Sequence, residues 1–203
     1  FMLSQTREDD IAVFSDIGVA FQGGALLSSL TVEQNVMLPL TEHAKLDLQN
    51  MEIMTRMKLE VVGLSKFGHL MPSELSGGML KRAALARAII MDPKILFCDE
   101  PSSGLDPMTA SALDDLIIKL RDVLGMTVVV ITHEVESAFK IADRIAVVED
   151  GEIVFIGSIS DVKNHKSTYI QNLLNRSAEY GEIHPDEYLR RLTGDGSMKD
   201  VRL

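Results

Sequence analysis

The sequence has little with which to cross-link itself and little with which to cross a membrane. It holds one cysteine, Cys98, among 203 residues. That excludes a disulfide framework and a cysteine-ligated metal site, and it suits a reducing, cytosolic setting. No apolar run reaches the roughly eighteen residues a spanning helix needs, and no stretch has the form of a signal peptide. Bases are outnumbered, with 20 Lys and Arg against 30 Asp and Glu and a formal net charge of −10. This balance argues against a general nucleic-acid binder and against a polybasic membrane anchor. Internal repeats and low-complexity segments are absent. The first residue is Phe1, so a missing N-terminal part is expected. The length suits one ordinary domain or two subdomains sharing a core.

The most informative stretch is Lys94-Ile95-Leu96-Phe97-Cys98-Asp99-Glu100-Pro101-Ser102-Ser103-Gly104-Leu105-Asp106. An apolar run bounded by turn residues predicts a buried parallel strand. It would leave Asp99 and Glu100 at the carboxyl end, where open α/β sheets place ligands. Paired carboxylates there can divide phosphoryl-transfer chemistry, one holding Mg²⁺ and the other orienting or deprotonating a water. A buried strand ending in a charged turn is the plainer reading; Ser-Gly-Leu-Asp immediately afterwards favours the chemical one.

Upstream, Ile17–Phe21 reads as a short strand ending at Gln22, with Gly23-Gly24 as a loop. A helix is expected over Val32–Leu38, closed near Pro39. A second is expected over Asn50–Val62, with Met54, Met57, Lys58, Val61 and Val62 at helical spacings. Methionines crowd this region, which favours adaptable core packing over a deformable partner surface. Ser76 is a good N-cap for the alanine-rich helix that follows, which Asp92-Pro93 stops. Gly77 and Gly78 at its start are poor choices for stability alone, but their bare amides can meet an anion. Asp106-Pro107 opens another helix with the stripe Leu113, Leu116, Ile117, Leu120 and Leu124, closed by Gly125. Thr127–Ile131 reads as a β-branched strand running into Thr132-His133-Glu134 and a helix through Ala142. Asp150-Gly151 predicts a hairpin between 144–149 and 152–156. Further helices are expected near Thr168–Leu174 and at Pro185–Leu192.

In order, Gln22, Leu75-Ser76-Gly77-Gly78, Asp99-Glu100, Ser103-Gly104-Leu105-Asp106 and His133 make the chain resemble the nucleotide-binding subunits of ABC transporters over about residues 17–174. The resemblance implies an α/β fold: the P-loop NTPase (RecA-like) core of ABC ATPases with an inserted helical subdomain, its N-terminal part missing. It divides the chain into a core remnant at 1–30, a helical subdomain at 31–92, further core at 93–175 and a C-terminal extension at 176–203. Phe21 to Val32, and Pro72 to Met79 with Met79 after the two glycines, look more narrowly like the ATPases of Mla/Mce-type phospholipid transport. No Gly-x-x-x-x-Gly-Lys-Ser/Thr occurs; in the family that phosphate-cradling loop lies upstream of the Gln loop.

The resemblance implies ATP and Mg²⁺ as ligands and ATP hydrolysis as the activity. It assigns Glu100, His133 and Gln22 to catalysis and Asp99 with Gln22 to the metal. It gives Ser76, Gly77 and Gly78 to the γ-phosphate of ATP held by another protomer, and Asp106 to the dimer seam. A homodimer is implied, together with an integral membrane permease and accessory lipid-binding components, on the cytoplasmic face of a bacterial inner membrane and without nucleic acid. His43, His69, His165 and His184 lack metal-ligand spacing and read as surface residues. Arg82 and Arg87 read as helix-surface charges and packing stems. Two other functions share these motifs: an ABC-type ATPase of DNA repair or chromosome maintenance, disfavoured by the absence of heptads, and a non-catalytic truncated ATPase module.

Overall fold

The computed structural model describes residues 16–175, in two compact units that divide between Ala142 and Asp143. The first unit holds β1 (Ile17–Ala20), α1 (Val32–His43), α2 (Leu48–Val61), a 3₁₀ turn (Pro72–Glu74), α3 (Gly77–Ala88), β2 (Ile95–Asp99), α4 (Pro107–Leu124), β3 (Thr127–Ile131) and α5 (Val135–Ile141). The second holds β4 (Ile145–Glu149), β5 (Glu152–Gly157), α6 (Ile159–Lys163) and α7 (Thr168–Leu174).

The sheet of the first unit is parallel, in the order β1-β2-β3, with Val19 opposite Phe97 and Phe97 opposite Val129. Central β2 buries Leu96 and Cys98 against Leu85, Ile89, Leu113, Ile117 and Leu120. The β2 residues are those the apolar run predicts, and burial pushes the Cys98 thiol up to about 12, so it is a packing residue. Asp106 caps α4, accepting from the Met108 and Thr109 amides at 3.1 Å each, and Gly125 ends the helix in the left-handed conformation.

A second core lies among the helices, where Val32, Val36, Leu40, Leu59 and Leu64 pack with Ala83, Ala86 and Ile90. Helix α3 therefore faces both cores, which explains its alanines: small side chains allow close approach on two sides. Gly78 has the same purpose, since a Cβ there would lie 2.5 Å from Thr109 Cγ2 of α4. Asn35 is fully buried; it accepts from the Leu27 amide at 2.7 Å and donates to the carbonyls of Leu27, Leu30 and Thr31, holding the loop ahead of α1 in place.

Some expectations fail for visible reasons. Helix α1 runs through Pro39 to His43, because Leu40 beyond the proline is buried with Val36 and that packing outweighs one lost ladder bond. Helix α2 begins at Leu48, where the Asp47 carboxylate accepts from the Asn50 amide, two residues before the expected start. Its buried face is Thr55, Lys58 and Leu59, while Met57 is 62% exposed; Lys58 gains an ion pair with Asp92.

In the second unit, Asp150 and Gly151 both have positive φ, as the two-residue turn requires. Helix α6 was not expected; Ser158 and Asp161 form its capping box. His165 is half-buried with its ring against Phe155, a packing residue instead of a surface one. The helix expected at Pro185–Leu192, the residue His184, and the stretches 1–15 and 176–203 lie outside the described residues.

Candidate functional site

The carboxyl ends of β1, β2 and β3 deliver Gln22, Asp99 with Glu100, and His133 to one edge of the sheet. Glu100 is the best-defined of these. Its amide donates to Ile131 O at 2.8 Å, and its Oε1 accepts from the His133 backbone amide at 3.2 Å and from His133 Nδ1–H at 2.7 Å. The backbone at Glu100 sits in the left-handed region, φ 46°, a conformation that costs a non-glycine residue on the order of 1–3 kcal/mol. Oε2 of Glu100 and Oγ of Ser102 are buried without a hydrogen-bond partner among the described residues. A buried polar oxygen left unpaired is itself unfavourable by about 1–3 kcal/mol. Strain and unmet hydrogen bonding thus coincide at this one turn.

His133 is exposed, and its bond to Glu100 together with the charge there holds its imidazole above the usual histidine range. With Nδ1 committed to Glu100, Nε2 is the ring atom left to face solvent or a ligand. The Asp99 carboxylate makes no hydrogen bond among the described residues. The Gln22 carbonyl accepts from Lys81 Nζ.

Sequence comparison gives the family. The model of the ABC transporter family matches residues 4–103. The methionine import ATP-binding protein MetN of Haemophilus influenzae (strain 86-028NP) is 40% identical over 177 residues, covering 87% of this chain and 51% of that protein. The intermembrane phospholipid transport system ATP-binding protein MlaF of Escherichia coli (strain K12) is 41% identical over 163 residues, covering 80% of this chain and 61% of that protein. The chain thus spans about half the length of the curated relatives it matches. Among solved structures, the dimeric post-hydrolysis state of the ATP-binding cassette MJ0796 bound to ADP and Pi superposes with a TM-score of 0.66 at 31% identity, covering 76% of this chain and 68% of that one. CbiO1 of Clostridium perfringens, part of an ABC transporter complex, gives 0.71 at 28% identity, covering 84% and 69%.

The chain belongs to the ABC transporter family. Its fold is that of the ABC ATPase domain, and the sheet order puts the Gln-bearing strand, the Asp-Glu strand and the His-bearing strand side by side. In this ABC chain Ser76, Gly77 and Gly78 stand at the start of α3. Ser76 caps the helix, accepting from the Met79 amide at 3.3 Å; Ser76 and Gly77 are exposed while Gly78 is buried against α4. The Asp106 carboxylate is engaged in capping α4, which holds it below the usual carboxylate range, the Thr109 hydrogen bonds contributing most.

Two residues escape the sequence analysis. Arg87, read there as a surface charge, donates from Nη1 to Ala25 O at 2.8 Å and from Nη2 to Gly24 O at 2.9 Å. Lys81 reaches both Gln22 O and Glu100 O, the latter at 2.9 Å. Their targets are backbone atoms some sixty residues upstream in three of the four cases, and no local pattern announces such contacts.

The His133–Glu100 pair fixes a pH dependence. Because the folded pKa of His133 is raised, the pair's contribution is fully present below the ordinary histidine value and is lost as pH rises through the raised one. NMR titration of the full-length protein should place His133 above an exposed reference histidine, and Glu100→Gln should return it toward the ordinary value. An unchanged His133 titration in Glu100→Gln would contradict the pairing.

Proposed function

We propose that the chain carries the catalytic half-site of an ATP-hydrolysing ABC transporter subunit. The single observation behind this reading is Glu100, strained in its backbone, held by His133 through Oε1 and left with a buried, unpartnered Oε2. In hydrolysis a water oxygen bonds to the γ-phosphorus as the bridging β–γ oxygen bond breaks, and the water's proton needs an acceptor. In this reading Glu100 Oε2 is that acceptor. His133, oriented by Glu100 through Nδ1, offers Nε2 to the γ-phosphate, where a cationic ring would stabilise transition-state charge. Gln22 orients the water from the end of β1.

The metal fits as a guest with few protein ligands. Among the described residues no cluster of three or more His, Cys, Asp or Glu could hold an ion by itself. Mg²⁺ does not require one, because it is usually bound through one or two carboxylates plus waters and phosphates. Asp99, a hard oxygen donor free of hydrogen bonds among the described residues, with Gln22 as the second donor, matches that habit. When bound there, Mg²⁺ supplies neutralisation of phosphate charge.

Ser76 and Gly77, exposed at the α3 N-terminus, serve the nucleotide of a second protomer, with Gly78 shaping the turn and Asp106 fixing the adjoining seam. The dimeric state of the MJ0796 cassette supports a two-fold assembly. The divisions at 30/31 and 92/93 follow the helical core that Val32 opens and Ile90 closes. No helix among the described residues is long and apolar enough to cross a membrane. The partner in this reading is an integral membrane permease, met on the cytoplasmic face of the inner membrane.

Phospholipid is our proposed cargo. The Mla/Mce-like run around Gly23-Gly24 and Met79 supports it, and so does the similarity to MlaF. Methionine, the cargo in the name of MetN, is the second reading, since that relative is as similar.

Two measurements test these readings. In the full-length protein, Glu100→Gln should lower ATP turnover by about 10²–10⁴-fold, the range for removing a general base, while ATP affinity stays within a few-fold; turnover like that of wild type would remove Glu100 from catalysis. For cargo, affinity purification from membranes should return a permease whose reconstituted complex moves phospholipid between vesicles. A complex that moves methionine and no phospholipid would select the second reading and leave the ATPase reading standing.

A further inference from the structure

Helix α3 places two cations on the backbone of the loop after β1. Arg87 holds Gly24 O and Ala25 O, and Lys81 holds Gln22 O, so every carbonyl named here in the stretch 22–25 accepts from one helix. Gly24 lies directly on α3: it has φ 76°, and a Cβ there would come within 2.4 Å of Leu80 Cδ2 and force that side chain to shift. Ala25 has φ 47° and Glu100 has φ 46°, both left-handed residues without glycine's freedom. The carbonyl of each accepts from an α3 cation, Arg87 for Ala25 and Lys81 for Glu100. Strain of this kind persists only where the surroundings over-determine the backbone, and these two cations are among the restraints that do so.

Lys81 differs from Arg87 in joining two elements. Its one ammonium bonds the Gln22 carbonyl and the Glu100 carbonyl together. Burial lowers its pKa, and the carboxylates of Glu100, Asp99 and Glu134 oppose that effect. The Glu100 amide is already fixed on Ile131 O, so Lys81 supplies the second anchor on that residue's backbone, and the two anchors together set the direction in which the carboxylate leaves the chain.

We infer that Lys81 is a positioning residue: it couples the Gln22 loop to Glu100, so that displacement of α3 or of the loop is felt at the carboxylate that activates water. The inference rests on the hydrolytic reading above and adds a residue and a route of control to it. Lys81 touches no substrate in this role. It acts through the backbone of Glu100, where misplacement of a catalytic group by about 1 Å can lower a rate about 100-fold.

The test uses full-length protein in steady-state ATPase assays with separate nucleotide-binding measurements, comparing wild type, Lys81→Met, Lys81→Arg and Glu100→Gln. Lys81→Met should lower kcat by about ten- to a hundredfold with the Kd for ATP within about twofold, and Lys81→Arg, which keeps a cation and its donors, should recover most of kcat. If Lys81→Met does not fold, Lys81→Gln takes its place with the same expected split between kcat and Kd. A kcat within about twofold of wild type, a loss shared equally between kcat and ATP affinity, or no recovery with arginine overturns the inference. Should Glu100→Gln be inactive while Lys81→Met is active, the inference alone falls. Should Glu100→Gln turn over like wild type, the hydrolytic reading falls and the inference goes with it.

Discussion

Helix α3 has to pack on both sides. Leu85, with Ile89 just past the helix end, packs in the sheet core, while Ala83 and Ala86, with Ile90 beyond the end, pack in the helical core. Only a helix of small and apolar residues can approach neighbours closely on two faces, and closely packed interiors tolerate little displacement. Much of the site follows from that placement. The N-terminus of α3 presents Ser76 and Gly77; one turn on, Lys81 reaches Glu100; near its end, Arg87 reaches the loop after β1. A helix fixed by two cores is thereby a rigid mount for the signature residues and for the backbone on which Gln22 and Glu100 stand.

Electrostatics completes what packing begins. Carboxylates gather at the end of β2 in a chain that is already acidic overall, and three kinds of group answer them. The His133 imidazole pairs with Glu100, the Lys81 ammonium bonds the Glu100 carbonyl and feels the charges of Glu100, Asp99 and Glu134, and the His133 backbone amide donates to Glu100 Oε1. Among the described residues, what stays unanswered is the second Glu100 oxygen and the Ser102 hydroxyl. These two bare buried oxygens lie two residues apart, so unmet bonding capacity among the described residues is concentrated where chemistry is proposed to occur.

The local parts of this arrangement were legible in the sequence. A continuous apolar run marked β2 and β-branching marked β3, Asp106-Pro107 and Gly125 bracketed α4, and Asp150-Gly151 turned the hairpin, because each is a short-range property of a few residues. The family motifs brought Gln22, Asp99, Glu100 and His133 forward, and the sheet order sets their strands side by side. Long-range decisions were not legible. Pro39 sits inside a helix because Leu40 is buried against residues far away in sequence, and Met57 faces outward because Leu59 and Thr55 took the core side. Gly78 looked like an anion-facing glycine and also turns out to be needed against Thr109. Arg87 looked like a helix-surface charge and Lys81 carried no reading at all, since nothing near them in sequence shows that their partners are distant backbone carbonyls.

The central claim is that hydrolysis needs Glu100 from one protomer and the Ser76-Gly77 turn from another. Subunit mixing tests it most directly. A Gly77→Glu protomer has an intact Glu100 but a repulsive signature turn, and a Glu100→Gln protomer has the reverse. Each homodimer should be inactive. In the mixed dimer a shared site leaves one of the two sites wholly intact, so mixing the two inactive full-length proteins should restore ATP turnover, up to about half the wild-type rate per mixed dimer if sites work independently. A mixture that forms dimers and stays as inactive as its components would contradict the claim.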